Sequence, residues 1–245
     1  MPHSRPFAQV DVFTAHAYLG NPLAVVLDGA GLDDAAMQGF ARWTNLSETT
    51  FVLPPSPDAA ALQRRDPSPS HLAQVAAALG LQARHIVAAQ LLDNGPVWLG
   101  LLLDSADTVL QLRPDHLALK NLGSNVGVAS MKYASPAPAL IARSNREARA
   151  FGSRSAAVPA APDDGTLQVR AFAAPLGVAE DPVTGSLNAS LAQWLIAEGH
   201  APARYTAHQG TCLDREGRVY LEHDNAGQVW VGGDSVTCIH GQVTL

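Results

Sequence analysis

No run of about 18 consecutive apolar residues occurs in the chain, so no part of it has the length to cross a bilayer as a helix. The N-terminus also lacks the basic-then-apolar pattern of a secretory leader, and the chain is expected to be cytoplasmic, without membrane or export. Cysteine is scarce. Cys212 and Cys238 cannot build a disulfide framework and are expected as small buried thiols in a reducing compartment. The nine histidines include no H-x-x-x-H pair, and there is no C-x-x-C, so no metal site and no metal cofactor is expected. Basic runs are absent and the formal net charge is -6, which argues against nucleic acid as a partner. What remains is a composition that is 47% hydrophobic and 16% charged, that of a soluble globular protein. At 245 residues it is long enough for one large domain or two small ones.

The most informative stretch is Glu180-Asp181-Pro182-Val183-Thr184-Gly185-Ser186. It sets two carboxylates, two hydroxyls and a glycine immediately before an almost wholly apolar segment, Leu187, Ala189, Leu191, Ala192, Trp194, Leu195 and Ile196. A helix apolar on most of its circumference must be enclosed, so its N-terminus is expected inside the protein. That end carries unpaired N–H groups and the positive end of the macrodipole, which suits it to hold an anion. Two readings stand on these residues alone. Asp181 and Thr184 cap a core helix, or Asp181 faces a ligand held at the helix end, with Gly185 allowing close approach and Thr184 or Ser186 as the cap.

Taken in order, residues 8–14 (AQVDVFT) and 23–27 (LAVVL) read as strands joined by a turn at Gly20-Asn21-Pro22. A helix capped by Asp33 follows, with Ala35, Ala36, Met37, Phe40 and Ala41 on its apolar side. The polar segment 45–50 leads into a strand that Pro54-Pro55 stops. A second pass of the pattern runs through a strand at 88–92, a turn at Asp93-Asn94-Gly95-Pro96, a strand at 97–103 and a helix-leaning stretch from Asp104. Two copies of a strand–turn–strand–helix unit predict two related lobes with a cleft between them. Two stretches do not fit: 54–70, a linker-like Pro/Ala/Ser run before a helix at 71–79, and 129–165, expected as loop or disorder. A strand at 167–172 delivers the chain to the central motif. Beyond the helix, which Gly199 ends, the rest reads as strands at 204–207, 217–222, 228–231 and 235–239. His71, Trp43 and Trp194 read as structural and His208 as a surface histidine.

VDVFT with GNPLAVVLD, NLSETTFVLP, DNGPVWL, EDPVTGS and the tail QG-T, GRV and VWVGG make the chain similar to the PhzF family of phenazine-biosynthesis-like proteins. The resemblance implies an α+β, two-lobed diaminopimelate-epimerase-like fold. Each lobe is then a curled, mostly antiparallel sheet around one central helix, with lobes at 1–87 and 88–245. It implies a cofactor-free isomerase that moves a proton on a small cyclic carboxylic acid. The type reaction is isomerisation of trans-2,3-dihydro-3-hydroxyanthranilate. By this resemblance Glu48 is the general acid/base and Asp181 its catalytic partner, and Thr184, Gly185 and Ser186 bind the substrate. A homodimer is implied as well. Without the resemblance, Ser47-Glu48-Thr49 reads as a solvated turn before a strand.

The family's Gly-His-Pro-Thr motif, expected at the N-terminus of the first lobe's central helix, is missing. In its place 54–70 leads directly into HLAQVAAALG, which resembles a later family segment, so the first lobe is expected to be truncated, without its helix and several strands. The Ala/Arg/Pro/Ser composition of 129–165 resembles GC-rich coding DNA translated in a shifted frame. The competing expectation is therefore an inactive family member that acts at most as a binding or dimerisation module.

Overall fold

The computed structural model describes residues 3–53, 62–132 and 165–245. Two sheets share the strands. The first sheet is built from β1 (Ser4–Val12), β2 (Asn21–Val26) and β3 (Glu48–Phe51), with α1 (Asp34–Thr44) between β2 and β3. Asp33 caps α1 as expected, its Oδ1 accepting from the Ala36 amide at 2.7 Å. The strand β2 begins at Asn21, so Asn21 and Pro22 pair with Val12 and Asp11 and do not form the expected turn; residues 13–20 make the connection. The C-terminal strand β13 (Ser235–Thr244) returns to pair antiparallel with β1, giving the order β13-β1-β2-β3.

The second sheet begins with β4 (Gln63–Arg65), inside the stretch expected to be linker. Next come α2 (Pro69–Ala78), β5 (Ile86–Asp93), β6 (Val97–Leu103), α3 (Ala106–Gln111), α4 (His116–Leu122) and β7 (Asn125–Lys132). Beyond these lie β8 (Thr166–Ala173), β9 (Val178–Asp181), α5 (Gly185–Ala197), β10 (Arg204–Gln209), β11 (Gly217–His223) and β12 (Val229–Gly232). The order is β12-β11-β10-β8-β7-β6-β5-β4, with β9 paired to β8. Residues 129–132, expected to be irregular, close β7 and pair with β8 through Lys132↔Thr166. The rest of that stretch to 164, with its expected frame excursion, lies outside the described residues, as do 54–61.

The repeat read from the sequence is visible in the pairing. β1 and β2 are antiparallel, α1 follows, and β3 lies parallel to β2. β5 and β6 are antiparallel, α3 and α4 follow, and β7 lies parallel to β6. Each unit takes its outer strand from elsewhere, β13 against β1 and β4 against β5, so the pairings do not follow a division of the chain at residue 87. The second unit then continues with β8, β10, β11 and β12 and with α5. Among the described residues nothing continues the first sheet beyond β3.

The core follows the same asymmetry. One cluster holds Leu187, Leu191, Trp194 and Leu195 of α5 against Trp98, Val169, Leu221 and their neighbours. A second, on the opposite face, joins Val75 of α2 and Leu79 at its C-cap to Leu101, Val128 and Phe172. The α5 helix approaches closely because the strands beneath it carry glycine: a Cβ on Gly127 would sit 2.3 Å from Leu187 Cδ1. Among the described residues of the first unit only Ala8, Ala24, Val26 and Phe40 are buried hydrophobics. Trp43, expected to be structural, is 80% exposed on α1 and touches Phe40 from outside. The cysteines are not the expected buried thiols: Cys212 is exposed and Cys238 half-buried, and both are free. Among the described residues no helix is long and apolar enough to cross a membrane, and no group of three His, Cys, Asp or Glu converges as a metal site.

Candidate active site

Adjacent residues of a strand project to opposite sides, and this separates the two carboxylates of the EDP motif at the end of β9. Glu180 faces Arg170 of β8, whose Nε and Nη2 donate to Oε1 and Oε2 at 2.9 and 2.8 Å. Arg170 Nη1 also donates to the carbonyl of Leu112 at 2.9 Å, so Glu180 is fully committed to a buried bidentate ion pair. Asp181 has different partners. Its Oδ2 accepts from Thr184 Oγ1 at 2.5 Å, and its carboxyl is hydrogen-bonded by Ser47, which precedes β3.

The fold thus brings Glu48 and Asp181 from two different sheets close enough for the Glu48 charge to act on Asp181. The Asp181 carboxyl is raised from 3.8 to about 6, chiefly by burial and also by the Glu48 charge, against the opposing hydrogen bonds from Thr184 and Ser47. Glu48 is exposed at the first position of β3, yet enough protein surrounds its carboxyl that desolvation raises its pKa too. It is neither a turn residue nor fully solvated. Asp181 does not cap α5: it ends β9, and the acceptor it offers is used by a hydroxyl.

Gly185 and Ser186 open α5, and among the described residues neither amide has a hydrogen-bond partner. Thr184, expected as a substrate group, is instead enclosed behind Asp181 at 4% exposure. Its amide donates to Gln209 Oε1 at 3.1 Å and its hydroxyl is held between Asp181 and Gln209. It occupies the N-cap position, but its side chain caps nothing.

Four residues of this site carry no role in the sequence reading. Gln209 lies behind Asp181, Ser47 hydrogen-bonds it, Asn21 ties the two sheets together by donating to the Val183 carbonyl at 2.9 Å, and Phe13 packs against Gly185. Phe13 has a left-handed φ of 63°, a costly conformation for an aromatic residue. It is tolerated because Gly233 leaves room: a Cβ there would lie 2.6 Å from Phe13 Cδ1. The signals were present in VDVFT, GNP, NLSE and QG, but a buried amide and a core residue look alike in sequence.

The family model for phenazine biosynthesis-like proteins matches residues 10–71 and 59–241, in two parts that meet where the sequence lacks its Gly-His-Pro-Thr motif. The chain is 24% identical to antisense-enhancing sequence 1 of Schizosaccharomyces pombe, covering 96% of this chain and 97% of that protein. That alignment runs over 316 residues, more than the 245 of this chain, so the relative has segments without counterpart here. An uncharacterized isomerase of Pseudomonas aeruginosa is 29% identical, covering 97% of this chain and 98% of its own. Among solved structures, the PhzF-family phenazine biosynthesis protein of Bacillus anthracis superposes with a TM-score of 0.68 over 98% of this chain and 99% of its own at 15% identity. With the family model spanning most of its length, the chain belongs to the PhzC-PhzF family of phenazine biosynthesis-like proteins.

Proposed function

We propose that the chain is an isomerase that moves a proton between two carbons of a small cyclic carboxylic acid of the trans-2,3-dihydro-3-hydroxyanthranilate type. Glu48 is the acid/base and Asp181 its partner. The observation that carries this reading is the neighbouring pair of carboxylates, both with raised pKa, Asp181 at about 6 and partly through the charge of Glu48. Two such groups titrate together and share one proton near the working pH, so one side chain is a base while the other remains an acid. Ionised Glu48 removes a C–H proton, and the electron pair left on carbon delocalises into the conjugated ring. The same carboxyl then returns the proton at a second carbon, so protons balance without a further reactant. Protonated Asp181 donates a hydrogen bond to the charge that develops. The substrate carboxylate is held by the amides of Gly185 and Ser186 at the positive end of α5. The isomerase relative in Pseudomonas aeruginosa supports the reaction class.

Incubation of the protein with the dihydro-hydroxyanthranilate in deuterated water, followed by proton NMR, tests the reading. The expected result is loss of a substrate C–H signal, slowed by about 10²–10⁴-fold in Glu48→Gln. A second reading, a module that binds carboxylates without turnover, is favoured by the first sheet, which among the described residues ends at β3. A misplacement of about 1 Å costs on the order of 10²-fold in rate. Calorimetric binding by the wild-type chain with no exchange in any variant selects the module and overturns the isomerase.

A further inference from the structure

We propose that Gln209 is a positioning residue that decides which oxygen of Asp181 carries the proton, acting through the hydroxyl of Thr184. The inference deepens the isomerase reading, but its geometry and its test do not need a substrate. Gln209 ends β10, is 1% exposed, and makes four hydrogen bonds. Its Oε1 accepts from the Thr184 amide at 3.1 Å, and its Nε2 donates to the Asp181 carbonyl at 3.0 Å. A backbone N–H only donates and a carbonyl only accepts, so these two bonds fix the orientation of the side-chain amide without ambiguity. Asn188 Nδ2 reinforces it by donating to the same Oε1 at 2.9 Å.

With the amide fixed, the remaining Nε2–H reaches Thr184 Oγ1 at 2.9 Å and makes that hydroxyl an acceptor from Gln209. The hydroxyl proton has one place left to go, Asp181 Oδ2. Oδ2 is thereby an acceptor in both ionisation states, and a proton on Asp181 must sit on Oδ1. The reverse arrangement, Asp181 donating from Oδ2, leaves a buried hydroxyl proton without an acceptor, a cost of about 1–3 kcal/mol. The relay runs one way: Gln209 to Thr184 to Asp181. The groups that face the Asp181 carboxyl are Glu48 and Ser47 from the start of β3, Thr184 from its own connection, and Gln209 behind Thr184.

The test is a carbon-13 NMR titration of the Asp181 carboxyl in the ligand-free protein, assigned with Asp181→Asn. In Gln209→Leu the Thr184 hydroxyl is free to turn and accept from a protonated Asp181. The titration midpoint is expected to rise by about one pH unit. Thr184→Val raises it as well, Thr184→Ser leaves it in place, and Gln209→Leu adds nothing in the Thr184→Val background. Equal shifts from Gln209→Leu in both backgrounds, or none in a variant with a native melt, overturn the relay. If Gln209→Leu does not fold, Thr184→Val against Thr184→Ser decides: a common shift overturns the proposal, and a shift confined to the valine variant supports it. Because no substrate is present, failure of the isomerase assay leaves this result standing.

Discussion

At the scale of single residues, the site is defined by one carboxyl held where water would not put it. Asp181 is raised from 3.8 to about 6, chiefly by burial, so its proton is lost less readily in the folded protein than in the unfolded chain. The folding contribution of this group is fully present below pH 3.8 and is lost as the pH rises through about 6. At pH 8 Asp181→Asn is therefore expected to be more stable than wild type by roughly 1–3 kcal/mol, with the two converging at pH 4, as read from urea unfolding at both pH values. Wild type as stable as the variant at pH 8 would remove the burial argument. In the proposed proton transfer the productive state has one proton shared between Asp181 and Glu48. Deuterium exchange is expected to follow a bell in pH whose alkaline limb falls through about pH 6. A rate that keeps rising to pH 9 would count against Asp181 as the acid. Glu180, one residue away, has its carboxylate bound to Arg170 at both oxygens.

At the scale of elements, α5 is set by small residues in the strands beneath it. Gly127 in β7 faces Leu187, and Gly100 in β6 faces Trp194 and Leu191. A methyl group at Gly127 collides with a fully buried leucine, so Gly127→Ala is expected to destabilise the fold by about 1–3 kcal/mol. Leu187→Ala costs about 2–5 kcal/mol, and the double variant should cost less than the sum, since each change makes room for the other. Strict additivity in denaturant unfolding would show that α5 does not press on β7 there. The pattern of this helix was legible because Leu187, Leu191, Trp194 and Leu195 lie in one continuous apolar run. β4 was not legible: Gln63, Arg64 and Arg65 are exposed, and their pairing with Asp93, Leu92 and Leu91 gives no periodic signal. The start of β2 was hidden for a related reason, since Asn-Pro ordinarily marks a turn. Here both residues lie in a strand whose Asn21 side chain crosses to the other sheet.

At the scale of the whole molecule, the two units are unequal in core. The second sheet carries an apolar cluster on each face, whereas the first leaves Trp43 at 80% and Tyr18 at 74% exposure and borders a groove of about 490 Å³ lined by Phe7, Phe40, Trp43 and Leu46. It is held by its attachments: Arg218 donates from its amide to the Phe13 carbonyl at 2.9 Å, Glu216 to Leu19 at 2.8 Å, and Arg215 Nη1 to Tyr18 at 2.8 Å. In hydrogen-exchange mass spectrometry the amides of β1, β2, β3 and α1 are expected to open at lower free energy than those of β6, β7 and β8. A hydrophobic dye should bind before the main melt. Exchange of both units only through one global transition would show that those attachments replace the missing core.

The sequence by itself determined the family, the buried helix and the doubled strand–strand–helix unit. Each of these is written in a local pattern of residue types. Only the tertiary structure decided that Glu180 and Asp181 have opposite fates, that Thr184 is enclosed behind the site, that β13 closes the first sheet, and that Gln209 stands behind Asp181. These depend on which side of a strand a residue faces and on groups brought together from 28 positions away, as between Asp181 and Gln209. A sequence records neighbours along the chain, while hydrogen-bond direction and desolvation are set by neighbours in space.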